Sequence, residues 1–297
     1  MSYIKKNFTI RDLENISGVK SHTIRIWEKR YNLLEPKRSD TNIRYYSHQN
    51  LRKLLNVVLL NTNNHKISKI SKMSEEEIFK YSREISRNNG INDEAIIAFK
   101  LSMLKFDKVL FNDTYYKLLL KKTFREVFME VFVPFLNDIG FLWQTGTILP
   151  MHEHFISNLI VQKIQIKTEE LQYRIKQSNI TYVLFLPENE THELGLLYLN
   201  YELILRGHKV IYLGQSVPLD NLKYFFKNDQ KLCFLTCLTI QPYDDDLDTY
   251  FKEIESVLEK TPHQLIAIGR KTKLISEKGY NFDVSFYDSI LNLLKVL

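Results

Sequence analysis

The sequence predicts a multidomain chain: a winged helix-turn-helix, then a four-helix bundle, then an α/β parallel sheet. Three observations lead there. Charge is unevenly spread, because residues 1–72 hold 15 Lys and Arg against 5 Asp and Glu, a net of +10, while the rest hold 26 against 30, a net of −4. From Glu94 to Lys176 apolar residues recur at helical spacing with few breakers. After residue 179, short runs rich in Val, Ile, Leu and Phe alternate with amphipathic segments, as strands buried on both faces do when helices connect them. At 297 residues the chain is long enough for two or three separate cores, and the expected domains are 1–75, 93–178 and 179–297.

In the basic head, Phe8, Ile10, Leu13 and Ile16 have helical period, and Ser17-Gly18 ends that helix. Ser21 is expected to cap a second helix reaching about Tyr31, with Val19, Ile24 and Trp27 inward and His22, Thr23, Arg25, Lys29 and Arg30 outward. Glu35 to Asn42 is polar and turn-prone, and Ile43 to Tyr46 resumes as a strand, which makes a basic hairpin wing. A polyanion such as double-stranded DNA suits such a head, because neutralised phosphates release counterions; a basic surface that serves only solubility is the alternative.

Ser74-Glu75-Glu76-Glu77 has the form of a helix start, and a flexible join is expected near residues 75–92. Helices are then expected over 95–105, 106–120, 123–143 and 151–177, a bundle, with Pro134 able to kink the third. Beyond it, strands are expected over 180–186, 209–213, 232–238 and 265–268, with Val284 and Phe286 in a fifth, and helices near 192–206, 219–227, 245–260 and 288–297. Glu190-Thr191-His192-Glu193-Leu194-Gly195 follows the first strand directly. A metal-ligating imidazole needs its second nitrogen held by a carboxylate or carbonyl, and Glu190 is placed for that. By itself the string fits a helix-start histidine satisfied locally just as well.

Cys233 and Cys237 share one apolar stretch and read as small buried hydrophobes rather than as a disulfide or zinc framework, so a reducing compartment is expected. No apolar run approaches a membrane span, and residues 1–7 carry lysines without a hydrophobic signal core. A cytoplasmic, nucleoid-associated protein with no membrane partner is the expectation.

The stretch Thr23 to Tyr31, then Leu33-Leu34, Pro36 and Arg44-Tyr45-Tyr46-Ser47, resembles the DNA-binding domain of the MerR family over about residues 7–75. The resemblance implies a second helix in the major groove, a wing on the backbone and binding as a dimer on a near-palindromic operator. By position it implies DNA contacts from His22, Thr23, Arg25, Lys37, Arg38, Arg44 and Tyr46.

Trp143-Gln144-Thr145-Gly146 followed by Met151-His152-Glu153-His154 resembles the helical cap of light-responsive, cobalamin-dependent repressors related to MerR, the CarH and LitR group. This implies Trp143, Glu153 and His154 over the upper corrin face; a buried tryptophan beside a polar helix end is the structural alternative. Light-switching members carry histidine after the tryptophan. Here Gln144 stands there, and an amide is a poor cobalt ligand, so either the light response is altered or light is not the signal.

Residues 179–297 resemble the Rossmann-like, flavodoxin-type cobalamin-binding domain shared by methionine synthase and several mutases, on Glu190, His192, Gly195, Gly214 to Pro218, and Thr236-Cys237-Leu238. The resemblance implies His192 as the cobalt ligand, with Glu190, Gly195, Ser216, Thr236 and Gly269 around the cofactor and its nucleotide tail. Where the family has a second glycine this chain has Arg270, which can pair with the tail phosphate or fill the groove.

The expected function is a transcriptional regulator, a repressor, whose dimeric or tetrameric state is set by adenosylcobalamin and by light as a candidate signal. The alternative is a cobalamin-independent regulator whose later domains serve oligomerisation or protein interaction. An enzyme is not expected: corrinoid enzymes need a substrate barrel, and three modules leave no room for one.

Overall fold

Thr9 starts the first helix with a reciprocal cap: its hydroxyl accepts from Asp12 N (3.1 Å) and its own N–H donates to the Asp12 carboxylate (2.8 Å). This is α1 (Ile10–Ser17), and Gly18 closes it at φ 74°, a left-handed position that suits glycine. In the computed structural model, which describes residues 7–39, 42–85, 91–174, 180–227, 231–275 and 279–297, α2 (Ser21–Tyr31) follows. Ser21 is not its N-cap, as expected from sequence, but its first residue. Glu14 of α1 accepts from both Ser21 N (3.1 Å) and Ser21 Oγ (2.6 Å), so the neighbouring helix supplies the cap.

The wing is a short antiparallel pair, β1 (Lys37–Arg38) and β2 (Arg44–Tyr45); its tip residues 40 and 41 lie outside the described residues. Next come α3 (His48–Thr62), α4 (Ile67–Ile70) and α5 (Glu75–Ile85). The join expected over 75–92 is therefore helical up to residue 85. Ser74 and Glu77 cap α5 reciprocally (3.1 and 2.7 Å), and Ile78 and Ser82 are buried where the helix packs on α3. Residues 86–90 of that join lie outside the described residues.

The bundle holds α6 (Ile91–Lys105), α7 (Lys108–Leu119), α8 (Phe124–Val127), α9 (Val133–Gln144) and α10 (Pro150–Glu169). Phe106, expected inside a helix, sits at φ 53° in a turn, where Ser102 Oγ donates to Asp107 O (2.7 Å) and Asp107 caps α7 at Leu110 N (2.9 Å). The expected third helix runs through α8 and α9, joined by a π-helical turn over Phe128–Phe132. Pro134 has no N–H for the carbonyl one turn earlier, and the wider turn lies where that bond is lost. The fourth helix stops at Glu169, short of the expected Gln177; adjacent Glu169 and Glu170 at a helix C-terminus oppose its dipole. Phe99, Phe111, Phe132 and Phe135 pack ring against ring at the bundle centre.

These elements up to Ile160 form one compact unit with the basic head, and Val161–Leu297 form another. Inside the first unit the head is fastened to the turn between α9 and α10. Asn15 Nδ2 donates to the buried Thr147 Oγ1 (2.8 Å), while Lys100 Nζ meets both Ile16 O (3.4 Å) and Asp138 (2.6 Å). Trp143, in the last turn of α9, leads directly into it.

The second unit is a five-stranded parallel sheet of β3 (Thr181–Phe185), β4 (Lys209–Gly214), β5 (Leu232–Cys237), β6 (Gln264–Ile268) and β7 (Asp283–Tyr287), in the order β4-β3-β5-β6-β7. All five expected strands form. Helices α11 (Leu194–Leu205), α12 (Leu247–Leu258) and α13 (Ile290–Leu294) flank the sheet, and the expected helix over 219–227 is a 3-10 segment. Phe185, Phe234, Leu265 and Phe251 build the core under α12. The expected domain boundary at 178/179 falls outside the described residues.

Candidate functional site: a carboxylate-clamped histidine and a basic head

In an open parallel sheet the chain leaves β3 toward β4 on one side and returns to β5 on the other, so the loops after β3 and β5 part and leave a crevice at the strands' carboxyl ends. Glu190 spans that switch point. Its Oε1 accepts from Thr191 N (2.9 Å), His192 N (2.9 Å) and His192 Nδ1 (2.6 Å), and its Oε2 accepts from Ile240 N (2.7 Å) and Gln241 N (2.8 Å) of the loop after β5. Burial alone raises its pKa, but the N–H groups of Gln241, His192 and Ile240 and the His192 ring outweigh that and hold it at about 2.

With a carboxylate as the acceptor at Nδ1, the neutral His192 ring carries its proton there, which leaves Nε2 as the nitrogen with a lone pair. The His192 side chain is 55% exposed and that of Glu190 1%. A buried acid thus holds a solvent-facing imidazole rigidly, as a metal ligand requires. Among the described residues no three His, Cys, Asp or Glu converge on a metal position.

The other expected residues of this unit gather around the same strand ends. Ser216 Oγ accepts from Asn189 N (3.1 Å), which steadies the loop leading to Glu190. Gly195 opens α11, where a Cβ would stand 3.2 Å from Ile290 Cδ1. Gly269 has φ 135°, and a Cβ there would lie 2.3 Å from Leu238 O. Its glycine is thus required by the protein's own backbone, whatever ligand approaches. Thr236 Oγ1 is sealed from solvent without a hydrogen bond of normal geometry, and its neighbour, the Tyr250 hydroxyl, is in the same state. Arg270 is exposed, at the start of the 3-10 turn after β6.

In the first unit, Trp143 ends up 55% exposed, which overturns the buried-tryptophan alternative. Phe141, Leu149 and Met151 are exposed around the same turn, an apolar grouping of the kind that marks a binding surface. Glu153 is engaged by Ser157 Oγ (2.6 Å) and His154 Nδ1 (2.9 Å) in the first turns of α10, and Gln144 is exposed at the end of α9.

In the head, His22 and Arg25 are exposed and Thr23 half-buried on α2, and Lys37 and Arg38 are exposed on β1, where Arg38 also donates to Asn42 Oδ1 (2.5 Å). Tyr46 is a correction. Its ring is fully enclosed, its backbone pairs with Phe8, and its hydroxyl donates to Glu28 Oε2 (2.9 Å), so it is core rather than a surface contact. Burial, then Glu28, push its pKa up. Arg44 Nε donates to Glu28 Oε1 (2.9 Å), so this arginine is partly spoken for. Glu28 was not foreseen as functional. It ties the exposed helix to the wing, and its signal was a lone acid among the bases of α2.

Residues 8–77 match the family described as MerR HTH family regulatory protein, and residues 98–166 match the B12 binding domain. The HTH-type transcriptional repressor CarH of Myxococcus xanthus is 26% identical over 224 residues, covering 73% of this chain and 74% of that one. The monomethylamine corrinoid protein of Methanosarcina barkeri shares the fold with a TM-score of 0.57 at 14% identity, over 69% of this chain and 97% of that one. The chain therefore carries a MerR-type helix-turn-helix domain, then a helical region that matches the B12 binding domain, then a parallel, Rossmann-like sheet, the last two with the fold of a corrinoid protein.

Proposed function

We propose that the protein is a DNA-binding transcriptional repressor controlled by cobalamin, acting as a regulator and not as an enzyme. The observation that carries the reading is the Glu190-clamped His192 at the switch point of the sheet, in one chain with a MerR-type head. CarH, a repressor by its description, is similar to this chain over most of both lengths. The residues present fit a corrinoid: His192 offers Nε2 from a ring held by Glu190, and Thr236 places a buried hydroxyl at the end of β5 beside that of Tyr250.

His192, held by Glu190 with the loop after β5, would ligate the cobalt, while Thr236, Gly195, Ser216 and Gly269 would shape the surroundings of the cofactor. Adenosylcobalamin, the proposed form, would supply a light-sensitive cobalt–carbon bond. Trp143, Glu153 and His154 are the proposed residues of the cap. His22, Thr23 and Arg25 read or border base edges, Lys37 and Arg38 hold phosphates from the wing, and Arg44 adds charge beside them. The fastening of α1 to the turn that follows Trp143 gives a direct route from that turn to the head. The protein works as a dimer, and pairing of dimers on adjacent half-sites multiplies affinity without new base contacts.

The test is purification with adenosylcobalamin in the dark, followed by absorption spectra before and after green light and by operator binding. A corrin band that co-elutes with wild type and weakens in His192→Ala supports the reading; a colourless protein sinks it. A second reading, a cobalamin-independent regulator, is favoured by Arg270 in place of the second glycine. It requires that His192→Ala leave oligomeric state and operator affinity unchanged.

A further inference from the structure

The loop after β5 is gripped from both sides. On one side lies Glu190, which takes the N–H groups of Ile240 and Gln241. On the other lies Lys271, in the 3-10 turn after β6, whose Nζ donates to Ile240 O (2.5 Å) and Pro242 O (2.7 Å) and pairs with Asp244 Oδ1 (3.1 Å). An ammonium has three N–H donors, and these three acceptors use them all. The Lys271 side chain is only 17% exposed, so the arrangement is enclosed rather than a loose surface pair.

The bonds are connected through one amide. Ile240 O and Gln241 N belong to the same peptide unit: Lys271 bonds its oxygen and Glu190 accepts from its nitrogen. A cation on the carbonyl polarises the amide and strengthens its N–H as a donor, and chains of hydrogen bonds reinforce one another in this way. The other oxygen of Glu190 holds the backbone and ring of His192. A continuous path thus runs from the β6 turn, through the β5 loop, to the imidazole after β3.

We propose that Lys271 is a positioning residue for His192, setting the orientation of the imidazole through the 240–242 loop and Glu190. The proposal rests on the reading of His192 as an axial ligand. Neither Lys271 nor the loop touches the metal in this scheme; their effect is on how firmly Nε2 is aimed.

Two measurements on the full chain separate the proposal from that reading. In cofactor-free protein, residue-resolved amide hydrogen exchange should be about tenfold faster at Gln241 and His192 in Lys271→Met, the change expected from losing a charge-assisted hydrogen bond, with β3 and β5 amides unmoved. Lys273→Met, which removes an equal charge from the same turn, should leave those amides at the wild-type rate. Asp244→Asn, a milder change that takes the charge from one of the three Lys271 acceptors, should shift the same amides by less and in the same direction, and it serves if Lys271→Met does not fold. In protein carrying 15N-labelled histidine and loaded with cob(II)alamin, the fraction showing 15N superhyperfine splitting in the electron paramagnetic spectrum should fall in Lys271→Met while the corrinoid stays bound. Unchanged exchange at Gln241 and His192 overturns the proposal, and so does faster exchange with an unchanged split fraction. If wild type shows no 15N splitting, the axial-ligand reading fails, and the exchange rate at His192 alone still decides whether Lys271 orients that residue.

Discussion

Glu190 carries an unusual load for one side chain: five N–H donors converge on two oxygens in a buried place. Its pKa of about 2 lies below the ordinary 4.5, so its contribution to stability is full above pH 4.5 and fades as pH falls toward 2. Between pH 7 and pH 3 the wild type should lose about 2 kcal/mol more than Glu190→Gln in denaturant titrations, since every tenfold gain in acidity on folding is worth about 1.4 kcal/mol. An equal loss in both proteins would contradict the clamp. Gly269 makes a second prediction. Alanine there meets Leu238 O at 2.3 Å in a backbone region hostile to side chains, and the expected cost is about 3 kcal/mol or more, read as a lowered Tm with or without corrinoid.

At the scale of elements, what matters is how the head meets the bundle. The contact of Asn15 with Thr147, and of Lys100 with Ile16 O and Asp138, joins the end of α1 to the turn that follows Trp143. Asn15→Ala should therefore leave corrinoid retention unchanged and reduce, by about threefold or more, the factor by which corrinoid alters operator affinity, a coupling of the usual allosteric size. Gel-shift titrations with and without the cofactor measure it, and an unaltered factor would show that the contact does not carry the signal. This fastening was illegible in the sequence. Asn15 and Thr147 are 132 residues apart, and nothing in either neighbourhood marks a partner. The glycine stop at Gly18 and the Ser74-x-x-Glu77 helix start are local rules and could be read directly. Ser21 misled because its cap arrives from another helix, and Tyr46 because an aromatic in a basic wing has the same sequence signature whether it faces out or in.

At the scale of the whole molecule, the +10 head and −4 remainder put the excess positive charge, and with it the proposed DNA contacts, at one end of the chain. Lys37→Ala should weaken binding to all DNA sequences alike and reduce the magnitude of the log-affinity against log-salt slope by about 1, the signature of one lost phosphate contact. A change confined to the specific operator would instead make Lys37 a base reader. The order of modules and all five strands were legible, because buried parallel strands leave dense apolar runs. The five-fold coordination of Glu190 was only half legible: Glu190 and His192 are neighbours in sequence, but Ile240 and Gln241 reach them only through the strand order that sets β5 beside β3.

Cys233 and Cys237 both lie buried in β5, where loss of water pushes each thiol to about 12. They are the chain's two cysteines, and at neutral pH neither offers a thiolate to a maleimide or to peroxide. The wild-type background is accordingly silent to thiol reagents. A fluorophore can be attached through one new cysteine on the exposed wing or beside Trp143, so that movements of the head can be followed optically without first deleting native sulfur.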